Sequence, residues 1–303
     1  MVCKSLYSNE DIRKAAHNVR KHALRITIND GSGYVGQACS SAEILTTLYM
    51  RVMKLGESLG NPDGEQFHGV PGPGMDIKSG GLYNGTVSGE YDRFFMSPPQ
   101  YGTALYSVLV ECGRLNEEAL SNFNKDNWLL EVIASEHAPG FETSAGSLGQ
   151  TISVAGGTAH ARKLKGEKGR VVIFDSDGEL EEGQIWEAVQ TAVFHELDNL
   201  IIYVDANGQQ CEGEMKGILG MNADSFADRF KAFGAVTVIV DGHDIDALTA
   251  AAETPHPGKP LVVVCRTDCT KDIPLLERKR PNLHQVSISK DEREEFEAFY
   301  ASM

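Results

Sequence analysis

Hydrophobic and polar positions recur with two different periods along this chain. Near the N-terminus Ile12, Ala15, Ala16, Val19 and Ala23 follow at helical spacing, and Ser8 with Asp11 ahead of them forms a capping-box pattern. Gly31, Gly33 and Gly36 interrupt that pattern. Ser40 and Glu43 read as a second capping box before Ile44, Leu45, Leu48 and Val52, so this part predicts two helices around a glycine turn. Residues 56–91 have no apolar period and are rich in Gly and Pro. They read as a long irregular excursion, and such loops are usually functional or mobile. From Arg170 the pattern changes. Residues 171–174, 200–204, 236–240 and 261–265 are short apolar runs, separated by helical spacing over 179–195, 224–233 and 244–252. Near-continuous Val/Ile strands alternating with helices predict an α/β fold, a parallel sheet with helices on both faces. With no internal repeat, low-complexity tract or linker, 1–303 reads as a single domain.

Composition narrows the function classes. Of 303 residues, 41% are hydrophobic and 23% charged, which is too apolar for a disordered chain. The net charge of −15 argues against a basic nucleic-acid grip. No run of apolar residues is long enough to span a bilayer, and residues 1–11 lack the apolar core of a signal peptide. The six cysteines are scattered without a Cys-x-x-Cys pair, so they read as reduced thiols of a cytoplasmic protein.

Candidate chemistry concentrates where strands give way to helices. Asp177-Gly178 follows the 171–174 run and offers a carboxylate beside a residue whose backbone can approach a phosphate closely. Asn207 follows the 200–204 run. A carboxylate and an amide oxygen from adjacent strand ends suit Mg²⁺ or Ca²⁺, with bound phosphates completing the oxygen shell. The same residues also suit ordinary turns and caps.

The wording around these positions resembles the transketolase family. Residues 176–188 (Ser-Asp-Gly-Glu-Leu-Glu-Glu-Gly-Gln-Ile-Trp-Glu-Ala) resemble its Gly-Asp-Gly segment, and 198–207 its following motif strand. Thr143-Ser144-Ala145-Gly146-Ser147-Leu148-Gly149-Gln150 is similar to its Thr-Gly-Ser-Leu-Gly-Gln turn. Ser40-Ser41-Ala42-Glu43-Ile44-Leu45, Asp92-Arg93-Phe94, Ala104-Leu105-Tyr106 and Asp241-Gly242-His243-Asp244 follow the family's order. The resemblance implies a thiamine-diphosphate-binding fold and transfer of a two-carbon ketol unit from a ketose to an aldehyde. It implies Asp177, Asn207 and the Gln209 carbonyl as metal ligands, Gly178 against the diphosphate, and Gly146 and Leu148 beside the aminopyrimidine. Glu182 and Glu187 match family carboxylates at a subunit interface that links cofactor sites.

Departures from the family are equally specific. Its Gly-His in the first glycine turn corresponds to Gly33-Tyr34, and its Lys-Gly-His to Pro98-Pro99-Gln100. Its later histidine survives as His284, while His137 lies out of register with another. His284 is therefore the candidate for steadying the diphosphate or assisting a donor hydroxyl. Tyr34 and Gln100, at the positions of those family histidines, are candidates for substrate contact without an acid–base role, since neither group exchanges protons near neutral pH. Such replacements point to a modified or branched sugar phosphate, or a non-sugar ketol, as substrate. The family's pyrimidine-binding domain has no counterpart in these residues. The expectation is an N-terminal subunit that acts with a separate pyrimidine-binding chain as an α₂β₂ assembly. An acyloin-forming or 2-oxo-acid-decarboxylating thiamine-diphosphate enzyme, or a non-catalytic subunit, stays as the alternative.

Overall fold

The parallel sheet expected for the second half of the chain is present and gains one strand. A computed structural model describes residues 7–67, 69 and 78–303, so His68, Cys3 and part of the glycine-rich excursion lie outside the described residues. The strands are β1 Arg93–Met96, β2 Val171–Ser176, β3 Leu200–Ala206, β4 Val236–Asp241 and β5 Leu261–Arg266. They lie in the order β1-β2-β3-β5-β4, every pair parallel.

Side chains of successive strand residues leave on opposite faces. Phe94, Met96, Val172, Phe174, Ile201, Tyr203 and Val263 enter one core, and Phe95, Val171, Ile173, Ile202, Val204 and Val262 enter another. A sheet buried on both faces needs apolar residues at both parities, which is why its strands read as continuous runs. Helices α1 Asn9–Asp30, α2 Val35–Thr47 and α3 Gly102–Glu111 cover the first core. Helices α4 Thr151–Lys165, α5 Gly183–Phe194 and α6 Ala223–Ala232 cover the second. The last two helices, α7 Ile245–Ala251 and α8 Arg293–Ser302, return to the first face through Leu248 and Phe296.

The Ser8 capping box forms as read, with Asp11 N donating to Ser8 Oγ at 3.2 Å and Ser8 N to Asp11 Oδ2 at 2.7 Å. The Ser40–Glu43 box does not. Gly31 ends α1 in the left-handed region (φ 76°), Ser32–Gly33 pairs with Val286–Ser287, and α2 has already begun at Val35. Ser40 and Glu43 are thus interior to α2, and their polar groups serve long-range partners. Ser40 Oγ donates to Asp205 at 2.6 Å, while Glu43 accepts from Arg20 at 2.6 and 2.8 Å and pairs with His243 at 2.8 Å. The helix read over 179–195 also breaks: Asp177–Glu181 forms a tight 3₁₀ turn, Glu182 is extended, and α5 starts at Gly183.

The described part of the 56–91 excursion is irregular but packed into the body. Tyr83 and Asn84 are buried, and Asn84 accepts from Tyr49 at 2.7 Å while donating to the Gly140 carbonyl at 3.0 Å. Arg114 spans it, donating to the carbonyls of Gly56 and Tyr83.

Candidate functional site

The carboxyl ends of β2 and β3 lie side by side, with Ser176 opposite Asp205 in the ladder. Asp177 therefore leaves the sheet one position beyond β2, next to the Asn207-Gly208-Gln209 turn that follows β3. Gly208 N donates to Asp177 Oδ2 at 2.6 Å, a contact that fixes the two turns against each other. Asp177 is 1% exposed, and its other oxygen, Oδ1, is buried with no hydrogen-bond partner among the described residues. Burial, and then the charge of Asp205, push its carboxyl well above the usual carboxylate range.

Asn207 is held by its amide nitrogen. Nδ2 donates to Tyr101 Oη at 2.9 Å and Asp205 Oδ2 at 3.0 Å, with Ser40 Oγ at 3.3 Å. The anchor assigns the other atom of the amide as the oxygen, which accepts from Gln209 N at 2.8 Å. Asp205 itself is fully buried and receives hydrogen bonds from Ser40, Tyr101 and Thr267 as well. Burial raises its carboxyl, and those donors work in the opposite direction.

A third buried carboxylate ties the remaining segments together. Glu179 Oε1 accepts from Ser97 Oγ at 2.8 Å and from Gly149 N at 3.1 Å. One side chain in the 177–181 turn thereby sets the positions of the Pro98-Pro99-Gln100 and Gly146–Gly149 segments. Gly149 adopts φ +75°, and a Cβ there would lie 2.8 Å from Glu182 Cβ.

These segments enclose a cavity of about 510 Å³ lined by Tyr34, Gln37, Gln100, Gly146, Leu148, Gly178, Glu182, Gln209 and His284, among others. Sequence candidates from six separate stretches thus meet at one place. Asp177 and Asn207 line an adjoining hollow, which shares Gln209 with the first. A side chain at Gly146 would meet nothing within 4 Å, and one at Gly178 only Gln210, so both glycines leave room for a ligand. Burial lowers the His284 pKa, opposed by Glu212, and raises that of Tyr34. The two rings meet edge to face with centroids 5.5 Å apart.

Other candidates fall elsewhere. Glu187 lines a separate groove between α4 and α5 with Ser153, His160 and His195. His137 does not line the cavity; its Nδ1 lies 3.1 Å from the Lys78 carbonyl oxygen and its Nε2 3.4 Å from Glu136. Among the described residues no three His, Cys, Asp or Glu side chains group as metal ligands. The Asp177–Asn207–Gln209 set has one carboxylate, so it suits a hard cation whose remaining ligands come from phosphate oxygens. Gln37 and Tyr101 were missed by motif reading. Ser40, Glu179 and Asp205 lay inside the matched segments but were given no role at the site.

A parallel α/β domain with its cavity at the carboxyl edge belongs to the class that binds ligands where strands end. Residues 86–300 match the family described as transketolase, thiamine diphosphate binding domain. The chain is 33% identical over 279 residues to a putative uncharacterized transketolase family protein of Sinorhizobium fredii, covering 90% of each. It is 31% identical over 290 residues to one of the subunits of the apulose-4-phosphate transketolase of Actinobacillus succinogenes, covering 95% of each. The solved transketolase of Leishmania mexicana shares the fold, with a TM-score of 0.72 and 22% identity over 96% of this chain. The chain spans about two fifths of that solved chain (41%). This chain belongs to the transketolase family and carries its thiamine-diphosphate-binding domain.

Proposed function

We propose that the chain is the diphosphate-binding subunit of a two-chain transketolase, transferring a two-carbon ketol unit from a ketose to an aldehyde. The carrying observation is Asp177, a buried carboxylate with an unpartnered oxygen beside an anchored Asn207. An uncompensated buried charge is costly, and a divalent cation would relieve it. Asp177, Asn207 and the Gln209 carbonyl would hold Mg²⁺ or Ca²⁺, with diphosphate oxygens filling the remaining positions. Gly178 leaves space for the diphosphate, and Gly146 and Leu148 border the aminopyrimidine side. When bound, the cofactor supplies the electron sink that breaking a carbon–carbon bond next to a carbonyl requires.

The chain's own part is to bind, orient and discriminate. His284 directs a ring nitrogen to the diphosphate or to a donor hydroxyl. Tyr34 and Gln100 contact substrate as hydrogen-bonding groups and exchange no proton. The carboxylates Glu181, Glu182 and Glu212 line the cavity, and among the described residues no Lys or Arg does. A phosphorylated sugar would accordingly have its phosphate held by the second chain, which also supplies the pyrimidine-binding domain. The Actinobacillus relative, matched almost end to end, is named as one subunit of an apulose-4-phosphate transketolase, which supports such a partner and a modified sugar as substrate. Glu182 and Glu187 lie near an α₂β₂ contact in this reading, and the assembly works in the cytoplasm.

Calorimetric titration of thiamine diphosphate with Mg²⁺ into the co-expressed pair tests this. Saturable binding that Asp177→Ala abolishes is expected. Equal affinity in the Asp177→Ala pair would overturn the proposed ligand set.

A further inference from the structure

Gln37 belongs to no motif that carries the family resemblance, yet it is the side chain that touches the surviving histidine. It sits in the first turn of α2, 1% exposed, with its Nε2 3.2 Å from His284 Nδ1. We propose that Gln37 is a positioning residue that holds neutral His284 as its Nε2–H tautomer, so that the imidazole offers the cavity a hydrogen-bond donor. This rests on the reading of His284 as a ligand-facing group.

The argument begins with the amide. Gln37 Oε1 is buried without a partner among the described residues. Turning the amide round would bring that oxygen to the imidazole and leave a buried NH₂ unpartnered instead. An under-used carbonyl oxygen is tolerated more readily than an orphaned buried N–H. The NH₂ therefore faces His284, and a nitrogen that accepts a hydrogen bond cannot carry a proton. The ring proton goes to Nε2.

The surroundings keep the ring in that state and orientation. Burial disfavours the imidazolium, and Glu212, on the turn between Gln210 and Gly213, opposes burial only in part. Tyr34 stands edge to face against the ring from the start of α2. The backbone is pinned on both sides, with Leu283 N donating to Gln209 Oε1 at 3.0 Å and His284 N to Asn282 Oδ1 at 3.2 Å. On α2, Ser41 Oγ donates to the Gln37 carbonyl at 2.6 Å and Ser40 Oγ at 3.1 Å, so the helix frame does not depend on the Gln37 side chain. A fixed Nε2–H suits an oxygen that carries negative charge and cannot serve as a proton-abstracting base.

Proton–nitrogen correlation spectra of the full chain, ¹⁵N-labelled at histidine and recorded above the imidazole pKa, read the tautomer directly. His284 is assigned by the signal lost in His284→Gln. In the wild-type chain a protonated Nε2 and a hydrogen-bonded, unprotonated Nδ1 are expected. Gln37→Glu replaces the donor by a carboxylate that only accepts, so the proton should move to Nδ1. In Gln37→Met the Nδ1 shift should lose its hydrogen-bonded displacement. A wild-type proton on Nδ1, or a tautomer unaltered in Gln37→Glu, overturns the proposal. Added inorganic pyrophosphate with Mg²⁺ reports separately on the ligand-facing reading. If the tautomer is as stated but the His284 signals do not respond, that reading fails and the tautomer assignment stands.

Discussion

Two buried carboxylates with opposite surroundings give residue-level tests. Burial by itself would raise Glu43, but hydrogen bonds from His243 and Arg20, with the Arg20 charge, outweigh it and hold the carboxyl at about 2. A depressed native pKa contributes stability that is complete above the ordinary value of 4.5 and is lost as pH falls towards 2. Denaturation midpoints should therefore drop between those values, and less steeply in Glu43→Gln. Removing the partner outright in Glu43→Ala should cost about 3 kcal/mol, because buried Arg20 then loses the two bonds to Glu43 and keeps Asp272, at 3.2 Å, as its carboxylate partner. Asp205 acts on Asn207 rather than on a ligand. Asp205→Asn should lower Mg²⁺-supported thiamine diphosphate affinity by about 10–100-fold, as loss of an outer hydrogen-bond partner commonly does. An affinity equal to wild type would remove Asp205 from that role. Chelating the divalent cation with EDTA should release the cofactor, as measured by calorimetry or tryptophan fluorescence.

At the scale of elements, turns make the site and strands aim them. Gly149 holds a left-handed conformation against Glu182, while Glu179 accepts from its amide. Gly149→Ala should destabilise the chain by about 1–3 kcal/mol and weaken cofactor binding, read by urea denaturation and calorimetry. Gly80→Ala tests whether the glycine-rich excursion is part of the body, since a Cβ there would overlap the Ala138 carbonyl. A loss of about 1–3 kcal/mol or more is expected, where a detached insertion would tolerate the change. Strands β2 to β5 were legible because continuous Val and Ile runs leave few alternatives. Strand β1 was not: four residues, beginning with Arg93 and ending with Met96, are too short to show a period. Helix α4 escaped notice because Gly156-Gly157 interrupts its apolar spacing. Ser40 and Glu43 misled, since the spacing of a capping box also suits buried polar side chains inside a helix. Gln37 and Tyr101 were invisible for a different reason. Their partners lie far away in sequence, and no local pattern records such contacts.

Across the molecule, one parallel sheet gathers segments from residue 34 to residue 284 at a single edge. In the proposed reading those segments supply room for a diphosphate, an oxygen set for a hard cation and a histidine, and among the described residues the charged side chains that line the cavity are carboxylates. In that reading, groups that hold a sugar phosphate and polarise a pyrimidine ring come from a second chain. The central claim is tested most directly by measuring two-carbon transfer with thiamine diphosphate and Mg²⁺ present. The assay compares this chain alone, the co-expressed pair, and the pair carrying Asp177→Ala. The account predicts turnover only in the unaltered pair. Full turnover by this chain alone, or undiminished turnover with Asp177→Ala, would contradict it.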